Sequence, residues 1–223
     1  MSAKTLPPLD TQQVLWFRRQ LRSWSKQHFR DFPWRKTTDP YKIFIAEFLL
    51  QKTAAATAAP IYEILLDRYP TLADLSAARV EEIAEIMDPL GLFFRSQRLY
   101  DSAQQLQTQF GGQIPSSETE LLQLPGVGIY TARSICTNAF GQTKAVLDTN
   151  VARIIERFFG VRGERVKSRC KILWGLAQQI APQKETSRWN LTLLDFGAGV
   201  CTAQKPRCDE CPLRKRCQSL RSN

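Results

Sequence analysis

Four of the six cysteines lie close together near the end of the sequence, where they could jointly bind a metal. Cys201, Cys208, Cys211 and Cys217 are spaced C-x6-C-x2-C-x5-C in the segment CTAQKPRCDECPLRKRC. Four thiolates within 17 residues can enclose one metal centre. The spacing favours an iron–sulfur cluster over tetrahedral zinc, because zinc modules usually present two close ligand pairs and here only Cys208 and Cys211 form one. Zinc and free thiols are the alternatives that spacing alone leaves open.

The segment between these cysteines is basic. Five cations on a compact scaffold suit contact with DNA, so we expect the metal to hold this loop in shape rather than to carry out redox chemistry. Cys136 and Cys170 lie in helix-like segments elsewhere and are expected to be small buried apolar residues. The basic residues of the loop are Lys205, Arg207, Arg214, Lys215 and Arg216.

Two carboxyl groups have sequence contexts that suit acid–base chemistry. Glu47 interrupts the apolar segment IFIAEFLLQKT, and burial there would raise the pKa of its carboxyl and keep it protonated, so that it can act as an acid. The alternative is a surface glutamate on an amphipathic helix. Asp148 lies just before the helix-like segment VARIIERFF, and on its own it could simply cap that helix.

The segment LPGVGIYTA (124 to 132) predicts a hairpin between two helices. Pro125 ends the first helical segment, and Tyr130 begins the second. Gly126 and Gly128 permit backbone conformations that a side chain would block. Such a hairpin directs several backbone N–H groups outward at a helix N-terminus, which creates an anion site. We expect the anion to be a DNA phosphate; the alternative is an ordinary turn between helices.

The charge balance of the 223-residue chain indicates a polyanionic partner. There are 31 Lys and Arg residues against 21 Asp and Glu, giving a net charge of +10 and a pI of about 9.6. Nucleic acid is the first choice of partner and an anionic membrane surface the second. The sequence has no apolar run long enough to span a membrane and no signal-peptide pattern at its start. We therefore expect a soluble cytoplasmic protein associated with the nucleoid.

Helical periodicity extends over nearly the whole sequence, and sustained strand alternation is absent from it. Breakers rich in Pro and Gly separate the helical segments. The sequence therefore predicts an all-α fold of about ten short helices. The predicted segments are 14–24, 41–50, 59–69, 80–87, 96–110, 131–140, 151–159 and 170–181.

The hairpin, the LDTNV segment that contains Asp148 and the four-cysteine spacing occur here in a specific order. In that order the chain resembles the helix-hairpin-helix DNA glycosylases, which have a Gly/Pro-rich loop and an invariant aspartate. The resemblance extends from DFPWR (31 to 35) to Cys217 and is closest to the adenine DNA glycosylases and the compact thymine mismatch glycosylases; endonuclease III is more distant. It implies a [4Fe–4S] cluster at residues 201–217.

The resemblance also implies an architecture of two helical lobes on either side of a cleft that binds DNA. The first lobe would be a six-helix barrel from about residue 34 to 142 that contains the hairpin. The second would combine residues 1–33 with 143–223 and carry the cluster. The target nucleotide would be flipped out of the duplex into a pocket between the lobes.

Catalytic roles for three residues follow from the resemblance. Asp148 would stabilise the positive charge that develops on the sugar, or attack C1′ transiently. Glu47 would supply the proton to the departing base. Tyr130 stands where endonuclease III-like enzymes have a lysine, and a phenol cannot form a Schiff base, so strand-nicking lyase activity should be weak or absent. Tyr130 would instead line the pocket, and Asn150 would position Asp148 or the attacking water.

The DNA-binding residues follow in the same way. Gln51 occupies the place of a glutamine that adenine glycosylases wedge into the duplex. Those enzymes usually have two consecutive glutamines here, and Lys52 departs from that pair. GLFFRSQRL (91 to 99) replaces their GLGYYAR-like loop, and Phe93 or Phe94 could be an apolar wedge or a core residue. The expected phosphate-binding residues of the hairpin are Leu124, Gly126, Val127 and Gly128.

The function implied is monofunctional excision of a mispaired base from double-stranded DNA by a monomer. The sequence ends six residues after Cys217, so we expect the protein to lack the extra C-terminal domain with which typical adenine glycosylases read 8-oxoguanine. This favours T or U opposite G as the substrate. A short adenine glycosylase that acts on A opposite G or 8-oxoguanine is one alternative, and a catalytically silent DNA-binding protein is another.

Overall fold

The structure is a computed structural model in which residues 8–91 and 94–221 are described. Over these residues it contains eleven α-helices and no strand, so the predicted all-α fold is confirmed. Among the described helices, none combines the length and the apolar character that crossing a membrane requires. The helices are α1 (Thr11–His28), α2 (Pro40–Leu49), α3 (Ala55–Arg68), α4 (Leu72–Ala77), α5 (Val80–Met87), α6 (Phe94–Gln109), α7 (Glu118–Leu121), α8 (Ile129–Phe140), α9 (Thr149–Phe159), α10 (Lys171–Ile180) and α11 (Thr186–Gly199).

The chain divides into two compact units. The first consists of residues 31–142 and contains α2 to α8, with α2 as its central helix. Asp39 caps α2 by accepting the N–H groups of Tyr41 and Lys42, and Pro40 supplies the first helical position. From Ile43 to Leu49 every side chain of α2 is buried, and the helix packs chiefly against α8. A helix that is apolar all round has this central place because only neighbouring helices can cover every face.

The second unit joins the residues up to Arg30 with those from Thr143 onward and contains α1, α9, α10 and α11. Asp10 caps α1 and Asp148 caps α9, while Gly160 ends α9 in the left-handed conformation that favours glycine. An aromatic cluster forms part of its core: the ring centroid of Phe17 lies 4.7 Å from that of Phe158 and 5.8 Å from that of Trp189.

The sequence pattern missed three helices. α4 and α7 have only six and four residues, which is too short to show a helical period. Their capping residues identify them instead: Thr71 and Asp74 form a capping box at the start of α4, and Ser117 caps α7. α11 was missed because it buries polar residues, among them Asn190 and Asp195, and so lacks a clean apolar face.

Candidate active site and iron–sulfur motif

Glu47 is a buried carboxyl at the centre of the first unit. It lies on α2 and is only 7% exposed. The hydroxyl of Ser134, on α8, donates a hydrogen bond of 2.7 Å to its Oε1, and the amide of Asn138 donates to the Ser134 Oγ at 3.0 Å. Burial raises the pKa of Glu47 from 4.5 to about 7, and the hydrogen bond from Ser134 opposes that rise. A carboxyl with this pKa can hold a proton near neutral pH and release it to a base that is leaving as an anion.

Tyr130 is the second residue of α8 and is partly exposed, so it is not a core tyrosine. It precedes Ser134 by four residues, which places the two on the same face of the helix. Since Ser134 contacts Glu47, this is the face of α8 that meets the buried acid. The first unit thus brings Tyr130 and Glu47 towards one side of α8.

The hairpin between α7 and α8 is held by the rest of the first unit. The Ser102 hydroxyl donates to the carbonyl of Pro125 at 2.7 Å. Gly126 has a φ of +81°, and a Cβ added there would stand 3.1 Å from the Cδ of Arg98 and 3.2 Å from a ring carbon of Phe48. Both the backbone conformation and the close packing therefore require glycine at 126.

The presence of glycine at position 128 has a different physical reason from the one expected. Its φ is −98°, which any residue adopts, and a Cβ added there would meet no atom within 4 Å. The expectation that a side chain would block this backbone conformation is therefore wrong. Gly128 is the N-cap of α8 and has no side chain, so it contributes no side-chain hydrogen bond to the first N–H groups of the helix. The glycine leaves room for a phosphate to approach them.

Leu124 and Val127 face the interior of the hairpin. They are 2% and 8% exposed, and their N–H groups donate to the carbonyls of Leu121 and Leu124. Their side chains belong to the core of the first unit. Contact with a phosphate therefore depends on the backbone of Gly126 and Gly128.

Gln51 and Lys52 form the turn after α2. The Gln51 amide donates to the carbonyl of Gly126 at 3.0 Å, which links this turn to the hairpin. Lys52 is exposed and has a φ of +57°, a left-handed conformation that is uncommon for a lysine. Of the two candidate wedges in the other loop, Phe93 lies outside the described residues, whereas Phe94 begins α6 and is 46% exposed.

Asp148 and Asn150 lie together at the start of α9, in the second unit. One carboxylate oxygen of Asp148 accepts the N–H of Val151 at 2.7 Å, so the residue is indeed the N-cap. Its other oxygen accepts the side-chain N–H of Asn150, also at 2.7 Å. The side chain is half-buried, and two donors fix its orientation. Capping and catalysis are therefore compatible uses of this carboxylate, because the cap holds it rigidly while leaving it partly accessible.

Hydrogen bonds continue from Asn150 to the cysteine-rich loop. The Oδ1 of Asn150 accepts from the Nη2 of Arg153 at 2.7 Å, and the Arg153 Nε donates to the carbonyl of Cys201 at 2.7 Å. The Arg153 Nη2 also donates to the carbonyl of Gly197, on α11. A Cβ added to Gly197 would lie 2.5 Å from the Cβ of Asn150, so only glycine lets α11 approach so closely. The position of Asp148 thus depends on Arg153 and Gly197, neither of which the motifs identified.

The four cysteines line a common cavity of about 190 Å³. Each is a half-buried free thiol. In residues 8–91 and 94–221, no three potential ligand side chains are grouped so as to hold one metal ion. Four thiols around one cavity fit an iron–sulfur cluster, in which each thiolate binds a different iron and the sulfurs surround a volume.

Although the loop is basic, one of its thiols is harder to ionise than a free cysteine. Burial, together with the neighbouring cysteines, raises the pKa of Cys211 to about 11. Three of the five cations of the loop have partners in the protein: Arg207 donates to the Gly199 carbonyl, Arg214 pairs with Asp209 at 2.5 Å, and Arg216 stacks on Trp16. Metal binding must therefore displace protons from partly buried thiols.

Comparison with protein families identifies two segments. Residues 45–179 match the HhH-GPD superfamily of base excision DNA repair proteins. Residues 201–217 match the iron–sulfur binding domain of endonuclease III. The first match covers more than half of the chain and contains Glu47, the hairpin and Asp148. The second begins at Cys201 and ends at Cys217, and it confirms the [4Fe–4S] cofactor expected at this motif.

Individual relatives agree with this placement. The thymine-DNA glycosylase of Aeropyrum pernix is 37% identical over 214 residues, which are 94% of this chain and 96% of that protein. The thymine/uracil-DNA glycosylase of Methanothermobacter thermautotrophicus is 38% identical over 189 residues, covering 84% and 86% of the two chains. The human adenine DNA glycosylase is 36% identical over 220 residues, but these make up only 40% of that protein.

A solved structure agrees as well. The structure of a thermostable thymine-DNA glycosylase superimposes with a TM-score of 0.90 and 34% identity, covering 95% of this chain and 98% of that one. The sequence resemblance to glycosylases with a helix-hairpin-helix motif is therefore confirmed. With its all-α fold, hairpin and cysteine motif, the chain belongs to the HhH-GPD superfamily of base excision DNA repair proteins.

Proposed function

We propose that this protein hydrolyses the N-glycosidic bond of thymine or uracil mispaired with guanine in double-stranded DNA and leaves an abasic site. The observation that carries the proposal is the buried Glu47, whose pKa of about 7 gives the fold an acid able to protonate a departing base. The thymine and thymine/uracil glycosylases that match over more than four fifths of both chains support the choice of base.

In the proposed mechanism, the two carboxyl groups act on opposite ends of the bond that breaks. Glu47 donates its proton to the base, so that the base leaves as a neutral species. Asp148 remains a carboxylate and stabilises the cationic sugar, while Asn150 orients Asp148 or the attacking water. Water adds to C1′, and the proton it loses replaces the one that Glu47 gave to the base, which completes the hydrolysis.

DNA binding in this proposal depends on backbone contacts. The N–H groups at the start of α8, next to Gly128, bind a phosphate near the target nucleotide. Gln51 fills the space that the flipped nucleotide leaves in the duplex, and Lys52 contacts the backbone beside it. Cys201, Cys208, Cys211 and Cys217 would hold the [4Fe–4S] cluster, and the bound cluster would keep the basic loop of residues 201–217 in shape for contact with DNA.

We also propose that the enzyme is monofunctional and acts as a monomer. Tyr130, at the start of α8, cannot form a Schiff base with C1′, so the abasic product should remain uncut. Tyr130 lines the pocket instead. The second candidate function is excision of adenine opposite guanine or 8-oxoguanine, which the match to human adenine DNA glycosylase over 94% of this chain favours.

The test is a panel of duplexes assayed for excision. Single-turnover reactions with T, U or A opposite G, and A opposite 8-oxoguanine, should give alkali-labile sites at T and U opposite G and far less at A. Asp148→Asn should abolish excision while duplex affinity in a gel-shift assay stays within about threefold of the wild type, because the amide keeps the cap geometry but not the charge. Full activity of a folded Asp148→Asn protein would remove Asp148 from the mechanism.

A further inference from the structure

Arg95 is an arginine inside the first unit that none of the motifs identified. It is the second residue of α6 and only 1% exposed, and burial lowers the pKa of its guanidinium. Arginine is rarely buried so completely unless its donors are matched by acceptors. Its surroundings therefore indicate what it holds in place.

The guanidinium bridges two separate segments of chain. Its Nη1 donates to the carbonyls of Leu49 and Gln51, at 3.1 and 2.7 Å, and to the hydroxyl of Thr53 at 2.9 Å. Its Nη2 donates to the carbonyls of Leu90 and Gly91, both at 3.0 Å. All five acceptors are neutral, and four of them are main-chain carbonyls.

The first of these segments is the turn that carries Gln51 and Lys52. At the end of α2 the last carbonyl groups have no partner inside the helix, and a cation there satisfies them and favours the helix dipole. The left-handed conformation of Lys52 persists only where the surroundings impose it. Arg95 imposes it by holding the carbonyls of Leu49 and Gln51 on one side and Thr53 on the other.

The second segment leads into α6. Leu90 and Gly91 end the short 3-10 turn Asp88–Leu90, and Phe94 and Arg95 are the first two residues of α6. Phe94 is 46% exposed, with the guanidinium of Arg98 4.8 Å from its ring centre, so its ring lies at the surface beside a cation. Arg95 thus fixes the backbone that carries two side chains, the half-buried Gln51 and the exposed Phe94.

We propose that Arg95 is a positioning residue that makes Gln51 and Phe94 enter the DNA duplex as one rigid wedge. This rests on the proposed function, in which a base must leave the stack before it is excised. If the turn of Gln51 and the start of α6 moved independently, both would lose conformational entropy on each insertion, whereas Arg95 has already ordered them. Arg95 touches neither DNA nor the reacting atoms, and acts through the two segments it joins.

The experiment follows unstacking separately from excision. A duplex with a central G·U pair and a 2-aminopurine beside the uracil is mixed with the full-length holoprotein, and the rise of fluorescence is recorded by stopped flow. Wild type should give a rise that precedes excision. Arg95→Gln should slow that rise about 10- to 100-fold, with its duplex affinity within about threefold of wild type.

Three variants separate a clamp from a general structural role. Arg95→Lys keeps the charge, but one ammonium cannot bridge both segments, so it should fail like Arg95→Gln. Thr53→Val removes one acceptor and nearly no volume, and should slow the rise by a smaller factor even if the Arg95 variants fold poorly. Arg79→Gln, at a side chain that is 74% exposed, is the matched control and should behave like wild type.

The outcomes distinguish this inference from the proposed function. A rise of normal rate in Arg95→Gln or Arg95→Lys overturns the clamp, as does the absence of any rise with the wild type. A loss that disappears when each variant is assayed equally far below its own melting temperature also overturns it. If the wild type unstacks the duplex but excises no base from it, the proposed function fails while the clamp stands.

Discussion

Replacing Ser134 by alanine removes the hydrogen bond of 2.7 Å that its hydroxyl donates to the carboxyl of Glu47. That bond stabilises the carboxylate and opposes the rise of the Glu47 pKa that burial causes. A hydrogen bond to a charged group contributes roughly 1.5–3 kcal/mol, which at 1.36 kcal/mol per pH unit is a pKa change of about 1 to 2. Ser134→Ala should therefore raise the pKa of Glu47 from about 7 to between about 8 and 9.

The direction of this change is unusual. Removing a buried hydrogen bond should make the enzyme more active at alkaline pH, relative to its own maximal rate. At pH 8 a group with a pKa of about 7 is protonated in about one tenth of the molecules, and one with a pKa of 8 to 9 in about half to nine tenths. If Glu47 is the acid, the alkaline limb of the rate profile should move upward by the same 1 to 2 pH units. Excision at pH 8 should rise about five- to ninefold relative to each protein's own maximum.

The assay is single-turnover excision of uracil opposite guanine between pH 5.5 and 9.5, so that product release does not affect the rate. Ser76→Ala is the control, because Ser76 is half-buried on α4 and its hydroxyl donates a solvent-exposed hydrogen bond to the Ala73 carbonyl of the same helix. An alkaline limb that stays in place in Ser134→Ala, or moves to lower pH, would refute the assignment of Glu47 as the proton donor.

Three further predictions concern the same machinery. Because burial raises the Glu47 pKa from 4.5 to about 7, the native state binds more protons than the unfolded state between those values, and its stability falls by about 3 kcal/mol as pH rises through that window. Glu47→Gln should then unfold at higher denaturant concentration than wild type at pH 8 but not at pH 4.5, and equal midpoints at pH 8 would contradict the burial argument. Gly197→Ala should displace Asn150 and slow excision at least about tenfold while circular dichroism stays unchanged; normal rates would show that the close approach has no role. Tyr130→Lys should introduce strand cleavage and borohydride trapping on DNA, and trapping of the wild type would rule out the monofunctional proposal.

The sequence by itself determined the fold class and the motifs that identify the family. Helical periodicity, the breakers between helices and the cysteine spacing are local properties, so they can be read without knowing which elements meet. The hairpin and the cysteine motif also specify their own chemistry, because a helix N-terminus binds anions and clustered thiolates bind metal. Even the burial of Glu47 could be predicted, since only an interior helix tolerates apolar residues on every side.

Tertiary structure alone decided which residues support these groups. Ser134 is 87 positions from Glu47 along the chain, and Arg153 is 48 from Cys201, so no local pattern relates them. Gly128 and Gly126 look alike in sequence, yet only Gly126 has a positive φ and crowded surroundings. Arg95 reads as a surface arginine until its five acceptors are seen. Such residues are chosen by contacts between distant segments, and those contacts exist only once the helices have packed.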